Sequence, residues 1–257
     1  VLNNGDILAV CSYRTSQGYR TQPQNNGLAM VRSTDLGQSW SEPEIIYVGT
    51  NWEPHVLQLR SGEVQVYFTH TAPKIALYGF NTFRRSSGSA ILRSFDYGHT
   101  WSPRVTGFPY EAHRAAQMYV KTIDGVRHLT DQMPVAAELS DGSIAVALES
   151  YNEKEKYYIS LAYTHDNWEK PLELDEEGPS DRQNYLYEGA GPYLACLASG
   201  ETILAYNLGG HFHVRLGDAS GHIFGDPFIV FPDVHGFWGS INVMNGTSLI
   251  AAFPRTT

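Results

Sequence analysis

Glu149 occupies the position in this sequence that most favours acid–base chemistry. It follows the apolar run 144–148, so its carboxyl group is expected at the end of a buried strand. Burial disfavours the charged form of a carboxyl group and raises its pKa, as a general acid near neutral pH requires. Glu53 and Glu188 stand at the starts of other predicted strands. Because hydrolysis of a glycosidic bond usually takes two carboxyl groups, we predict catalytic roles for Glu149, Glu188 and Glu53.

Polar and aromatic residues are expected at the same strand ends as these glutamates, where they would hold a sugar. The predicted substrate-binding residues are Arg14, Trp52, His70, Asp131, Tyr151, Asn207, Trp238 and Arg255. Structural roles also fit this pattern: Glu53 can pair with an arginine, Glu188 can cap the loop that follows it, and a tryptophan can pack between repeated units. The sequence leaves both interpretations open.

A recurring hairpin is predicted to position these residues. Each copy has an apolar strand, a polar turn that contains glycine, and a second apolar strand, which is the pattern of a β-hairpin. Because the two strands are antiparallel, the start of the first and the end of the second lie on one face, around a central channel. The copies occupy residues 1–10, 55–70, 134–150, 193–207 and 240–253, and matching third strands are predicted at 90–93, 158–163 and 211–216.

Two eight-residue segments share the pattern S-x-D-x-G-x-[ST]-W. They are residues 33–40 and 94–101, where the third and fourth strands of a unit should be joined. The aspartate can accept hydrogen bonds from backbone amides across the turn, and the glycine can take a positive φ. The tryptophan supplies an apolar ring to pack between units. Repeated motifs indicate repeated structural units, so the sequence predicts an all-β architecture of repeats.

The eight-residue pattern resembles the Asp-box of sialidase-like β-propellers. Segments 51–54, 131–134, 189–192 and 238–239, with their strand pairs, are similar in order and spacing to glycoside hydrolase family 93, the exo-acting arabinanases of that superfamily. The resemblance implies a six-bladed β-propeller that hydrolyses glycosidic bonds with retention, through two glutamates. Glu149 matches one of them. For the other, the following unit offers Asn207 and Glu188.

The repeats predict one propeller domain over residues 1–257. Blades are expected near residues 1–50, 51–108, 131–175, 188–232 and 238–257, with an insertion near 104–130. The first and last units of this series are incomplete. Compared with family 93, the chain begins at the second blade, which favours a six-bladed propeller that lacks part of the first and last blades here.

Charge and composition narrow the classes of partner. The net charge of −9 argues against nucleic acid or an anionic membrane as a partner. The sequence shows no metal-ligand spacing, so we expect an oligo- or polysaccharide substrate and no cofactor. That substrate class favours an extracellular or periplasmic location, and the oligomeric state stays open. The alternative functions are an exo-α-sialidase with a Tyr/Glu pair and an arginine clamp, and a non-catalytic glycan-binding propeller.

Overall fold

Antiparallel β-sheets make up the described part of the chain, as the repeated apolar segments predict. The computed structural model describes residues 1–18, 22–70, 88–102, 113–114, 119–123, 126–129, 131–151, 156–169, 181–232, 239–245 and 248–253, with backbone alone for 113–114, 119–123 and 126–129. Within these ranges the regular structure is β-strand, apart from one short 3-10 helix at Pro23–Asn25.

Five sheets follow one another along the chain, and strands that are consecutive in each sheet are hydrogen-bonded neighbours. Such up-and-down sheets are typical of propeller blades. The first contains β1 (Ile7–Arg14), β2 (Asn26–Ser33) and β3 (Glu44–Val48), and the second contains β4 (Asn51–Gln58), β5 (Val64–His70), β6 (Gly88–Ser94) and β7 (His113–Arg114). A separate hairpin of β8 (Tyr119–Ile123) and β9 (Val126–Leu129) precedes the third sheet. That sheet contains β10 (Asp131–Glu138), β11 (Ile144–Tyr151), β12 (Tyr157–Thr164) and β13 (Arg182–Glu188). The fourth contains β14 (Ala190–Cys196), β15 (Thr202–Leu208), β16 (His211–Gly217) and β17 (Phe228–Phe231), and the fifth contains β18 (Ser240–Asn245) and β19 (Ser248–Ala252).

Each sheet packs on the next through an apolar cluster. Phe68 and Leu92 of the second sheet, for example, share a cluster with Leu28 and Tyr47 of the first. Similar clusters join the second sheet to the third, the third to the fourth and the fourth to the fifth. The inner strands β4, β10, β14 and β18 border a cavity of about 360 Å³, at the place expected for the central channel. Burial of these strand faces therefore fixes the order of the sheets around the channel.

The predicted hairpin turn is present in four nearly identical copies. In each, a leucine N–H donates to the carbonyl four residues later at 2.8 Å, and a glycine N–H donates back to the leucine carbonyl. The leucines are Leu2, Leu59, Leu139 and Leu197. Since the first copy leads directly into β1, β1 corresponds to the second strand of the later sheets, and the first sheet has no inner strand among the described residues.

The two S-x-D-x-G-x-[ST]-W segments form matching turns after β2 and β6. Asp96 accepts hydrogen bonds from the Thr100 N–H at 2.8 Å and from the Thr100 hydroxyl at 2.7 Å. Asp35 accepts the same pair from Ser39, at 2.9 and 2.5 Å. For Asp35, the hydrogen bonds from Ser39 are the largest effects and lower its pKa to about 2. For Asp96, burial is the largest single effect and raises the pKa, but the hydrogen bonds that it accepts within the turn together outweigh it and lower the pKa to about 2. The turns are thus structural, as the pattern indicated.

The tryptophans of these two turns differ in their packing. Trp101 packs against the cluster between the first and second sheets. Trp40 is 45% exposed, so its ring packs less than the sequence predicted.

Two outer strands lie outside the predicted blade limits. β7 pairs with β6, so the second sheet takes its fourth strand from the range 104–130 that was predicted to be an insertion. β13 pairs with β12, although the third blade was predicted to end near residue 175. Its seven residues are half exposed without regular alternation, and the periodicity that reveals inner strands is therefore missing.

Candidate active site

The inner strands β4, β10 and β14 share a bulge near their first residues. The register with the neighbouring strand shifts at this point in all three. The residue at the bulge has a positive φ and is followed by proline, which has no N–H to donate. These residues are Glu53 (φ 44°), Met133 (φ 52°) and Gly191 (φ 61°). A positive φ is uncommon for residues other than glycine and is often found at functional sites, which singles out the rim formed by these bulges.

Glu53 lies at the first of these bulges and is partly buried. The Thr69 hydroxyl at the end of β5 donates a hydrogen bond of 3.0 Å to its Oε2 atom. Burial raises the pKa of Glu53 to about 7; the negative charge of Glu149 also raises it, while the Thr69 bond and the positive charge of Arg14 oppose the rise. A carboxyl group with this pKa can give or take a proton near neutral pH.

Glu149 lies at the end of β11, as predicted, and its side chain is 5% exposed. The backbone N–H of Gly191, on the next blade, donates to Oε2 at 2.8 Å. The side-chain amide of Gln132 donates to Oε1. Burial raises the pKa of Glu149, and these two hydrogen bonds counteract the rise because they favour the charged form.

A short path of contacts joins the two carboxyl groups. The Thr69 hydroxyl that donates to Glu53 accepts a hydrogen bond of 2.8 Å from the Met133 N–H. Gln132, the residue before Met133, donates to Glu149. Neighbouring blades therefore bring together two glutamates that are 96 positions apart in the chain, Glu53 on the inner strand β4 and Glu149 on the second strand β11. Two buried carboxyl groups with different hydrogen-bond partners can hold different protonation states, which suits acid–base and nucleophilic chemistry.

Tyr157 belongs to the same site, although the sequence analysis did not identify it. It pairs with Tyr151 across β11 and β12, and the two rings are 5.0 Å apart. It is 43% exposed, and its pKa is raised by burial and by the charge of Glu149. The site residues predicted from the sequence all come from the predicted first and second strands of the units. The start of a third strand lies beside the end of the second, and that rule would have found Tyr157.

Arg14 and Trp52 lie next to Glu53. The Arg14 guanidinium is 4.0 Å from the centre of the Trp52 ring and donates to the Asn51 carbonyl at 2.7 Å. The first and second blades thus contribute a cationic and an aromatic side chain to the rim that carries Glu53. This placement agrees with the predicted grouping of the three residues.

Glu188 is placed elsewhere. It was predicted at the start of an inner strand, but it ends the outermost strand of the third sheet, β13, and the inner strand β14 begins only at Ala190. Its exposed carboxylate pairs with Lys156 at 3.1 Å. The error arose because a single residue separates the outer strand of one blade from the inner strand of the next.

Asp131 and His70, which were predicted to bind substrate, make contacts within the protein. Asp131 is fully buried and accepts hydrogen bonds from the Ser150 hydroxyl at 2.8 Å and from Arg182 at 2.9 Å. His70 is 1% exposed, and its ring packs edge-on against Tyr47 and Phe68 at 5.8 and 5.7 Å. Both residues hold the ends of their strands in place.

The remaining predicted binding residues differ in what the structure shows. Asn207 lies at the end of β15, opposite Ala190, and is 6% exposed. Trp238 and Arg255 lie outside the described residues. Among the side chains that the structure describes, no group of three or more His, Cys, Asp or Glu residues could hold a metal ion. No helix in the described ranges has the length and apolarity needed to cross a membrane.

Comparison with known proteins finds parallels to this fold among solved structures. No protein-family model and no curated protein matches the chain. A Hadza microbial sialidase superposes with a TM-score of 0.62 at 13% identity, over 97% of this chain and 48% of that protein. The glycoside hydrolase family 93 α-L-arabinofuranosidase of Fusarium graminearum, solved with arabinobiose, gives 0.60 at 13% identity, over 95% and 66%. The Trypanosoma rangeli sialidase, solved with the inhibitor DANA, gives 0.54 at 11% identity, over 92% and 39%.

These likenesses establish the fold. The chain has the sialidase-like β-propeller fold and is related in structure to family 93 enzymes. It spans about half the length of the Hadza microbial sialidase. Because one fold can serve many functions, the activity has to be argued from the site.

Proposed function

We propose that this chain is an exo-acting, retaining glycoside hydrolase that acts on arabinan or a related glycan. The observation that carries the proposal is the pair of carboxyl groups of Glu53 and Glu149 on neighbouring blades, linked through Thr69, Met133 and Gln132. The negative charge of Glu149 raises the pKa of Glu53. A retaining glycosidase needs such a pair, one carboxyl protonated and one ionised, about 5–5.5 Å apart.

The hydrogen bonds support a different role for each glutamate. Glu149 accepts bonds from two N–H groups, which stabilise its ionised form and suit the nucleophile. Glu53 accepts one bond from a hydroxyl group, and its pKa of about 7 lets it keep a proton at neutral pH. In the first step Glu149 forms an ester with the anomeric carbon while Glu53 protonates the leaving oxygen. In the second step Glu53 takes a proton from water, which attacks and releases Glu149.

The surrounding residues suit a neutral sugar at this rim. Trp52 offers an aromatic face that is stiffened by Arg14, and Tyr151 and Tyr157 offer a second aromatic surface beside Glu149. Aromatic rings with polar tips bind ligands that have both apolar and hydroxyl-bearing faces. The arabinobiose bound to the Fusarium graminearum enzyme supports an arabinose-containing substrate. Such polymers are met outside the cytoplasm, so we expect an extracellular or periplasmic location.

Sialidase activity is the second candidate, because the charge of Glu149 acts on Tyr157 and two of the three structures compared above are sialidases. A sialidase uses a tyrosine nucleophile with a glutamate partner, and three converging arginines would clamp the sugar carboxylate. In this structure Arg182 is bound to the buried carboxylate of Asp131, and Arg14 lies over Trp52. Burial raises the pKa of Tyr157, which disfavours the phenolate. These contacts favour the arabinan-type activity.

Sugar release from arabinan and from a sialoglycan tests the proposal. We expect arabinose from the former, with proton NMR showing retained configuration in the first product. Activity should fall above about pH 7, where Glu53 loses its proton. Glu149→Gln should lower kcat/KM by about 10⁴-fold or more, because it removes the nucleophile. Glu53→Gln should lower it about 10²–10⁴-fold and abolish the alkaline limb of the pH profile.

Glu188→Gln is the matched control. It replaces an exposed carboxylate on the sheet that also carries Glu149, and it should leave kcat/KM unchanged. Inverted product would contradict the nucleophilic role of Glu149. Free sialic acid, lost in a Tyr157→Phe variant, would transfer the proposal to a sialidase. A folded protein that releases neither sugar would indicate a glycan-binding propeller.

A further inference from the structure

Asn207 occupies the same structural position as Glu149. Each residue lies seven positions after the glycine of its hairpin turn, Gly200 or Gly142. Each pairs with the first or second residue of its inner strand: Asn207 with Ala190, and Glu149 with Gln132. The repeat therefore places the Asn207 side chain on the rim of the channel, one blade further on.

Side chains at this position are normally engaged with the next blade. The hydroxyl of Thr69 accepts a hydrogen bond from the Met133 N–H, and the carboxylate of Glu149 accepts one from the Gly191 N–H, both at 2.8 Å. In the first sheet, the Ser12 hydroxyl donates to the Asn51 side chain at 2.7 Å. Three of the four equivalent side chains thus have their hydrogen bonds satisfied within the protein.

Asn207 differs from the other three. Its side chain is 6% exposed, yet neither Oδ1 nor Nδ2 has a hydrogen-bond partner in the described part of the chain. Burial of an amide without partners destabilises the folded protein. A polar group kept at such a cost on the rim that also carries Glu149 is expected where a ligand completes its hydrogen bonds.

We propose that Asn207 is a specificity-determining residue that hydrogen-bonds hydroxyl groups of a neutral sugar bound next to Glu149. This inference rests on the proposed location of the site. An amide offers two donors and one acceptor, so it matches a pair of sugar hydroxyls, each of which can donate and accept. The carboxylate of an acidic sugar can only accept hydrogen bonds. At this position it would be repelled by the Asn207 Oδ1 atom and by the negative charge of Glu149. The site therefore selects uncharged glycans over acidic ones.

The test compares Asn207→Leu, which keeps the volume and removes both polar atoms, with Ser12→Ala at the equivalent position of the first sheet. In the free protein, the urea midpoint of Asn207→Leu should be unchanged or higher, because no internal bond is lost. The midpoint of Ser12→Ala should fall, because its bond to Asn51 is lost. Binding of arabinobiose is measured by calorimetry in a Glu149→Gln background, where no turnover occurs. Asn207→Leu should weaken it about three- to tenfold, and Asn207→Gln should restore part of the loss.

Each other result overturns the proposal. A urea midpoint that falls in Asn207→Leu as it does in Ser12→Ala would give Asn207 an internal structural role. Equal affinity for arabinobiose with and without Asn207→Leu in the Glu149→Gln background, absence of arabinobiose binding, or tighter binding of N-acetylneuraminate would contradict recognition of a neutral sugar by Asn207. Binding that depends on Asn207 in a protein without hydrolytic activity would overturn the proposed catalysis and leave this inference standing.

Discussion

Replacing Glu53 with glutamine should remove a pH-dependent loss of stability. In the unfolded chain this carboxyl group ionises at its ordinary value of 4.5, and in the folded protein at about 7. Between these values the folded protein binds more protons than the unfolded chain, so the free energy of unfolding falls as the pH rises through the window. Glutamine has nearly the same shape, can still accept the Thr69 hydrogen bond and carries no charge at any pH.

The size of the effect follows from the shift. A rise from 4.5 to about 7 corresponds to about 3 kcal/mol, at about 1.4 kcal/mol per pKa unit. Partial solvent exposure of Glu53 screens part of this penalty, which leaves about 2 kcal/mol. The Glu53→Gln variant should therefore be about 2 kcal/mol more stable than the unaltered chain at pH 8 and equally stable at pH 4.

Urea denaturation at pH 4, 6 and 8, followed by far-UV circular dichroism, measures this difference. The free energy of unfolding should fall with urea concentration at the same slope in both proteins, so that the midpoints can be compared directly. Glu188→Gln is the control, because its carboxylate is exposed and its loss should change stability by less than about 1 kcal/mol at every pH. Glu149 is also buried with a raised pKa, so it too lowers the free energy of unfolding as the pH rises, and this effect should persist in the Glu53→Gln variant. A Glu53→Gln protein that is less stable than the unaltered chain at pH 8 would refute the placement of Glu53 in a desolvated site.

Two further predictions concern the scaffold, and both are measured as free energies of unfolding in urea. Asp96→Ala should destabilise the protein by about 1–2 kcal/mol, because the turn after β6 loses two hydrogen bonds from Thr100; an unchanged midpoint would show that the turn is held by its neighbours alone. Gly27→Ala should cost about 2–3 kcal/mol, because a Cβ atom there would overlap the carbonyl of Tyr47 and the ring of Tyr13. Gly225→Ala is its control, since its nearest neighbour would be 3.6 Å away, and equal losses in the two variants would contradict the steric explanation.

The repeated units of the fold were predictable from the sequence because they depend on local chemistry. The leucine–glycine hairpins and the aspartate turns are closed by hydrogen bonds between residues at most five positions apart, so each copy carries its own signal. The apolar second strands, such as Ile144–Tyr151, were equally clear because they are buried on both faces. The outer strand Arg182–Glu188 was not, since a half-exposed strand needs no regular pattern.

The sequence by itself determined that Glu149 ends a buried strand, and burial alone was enough to predict that its pKa is raised. Tertiary structure decided its partner. Glu53 and Glu188 looked alike as glutamates at the starts of strands, but one lies on an inner strand and the other on an outer strand paired with Lys156. The Thr69, Met133 and Gln132 contacts that connect Glu53 to Glu149 join four strands from two blades. Only the packing of whole blades around the channel creates these contacts, because no local pattern records which strand ends meet across it.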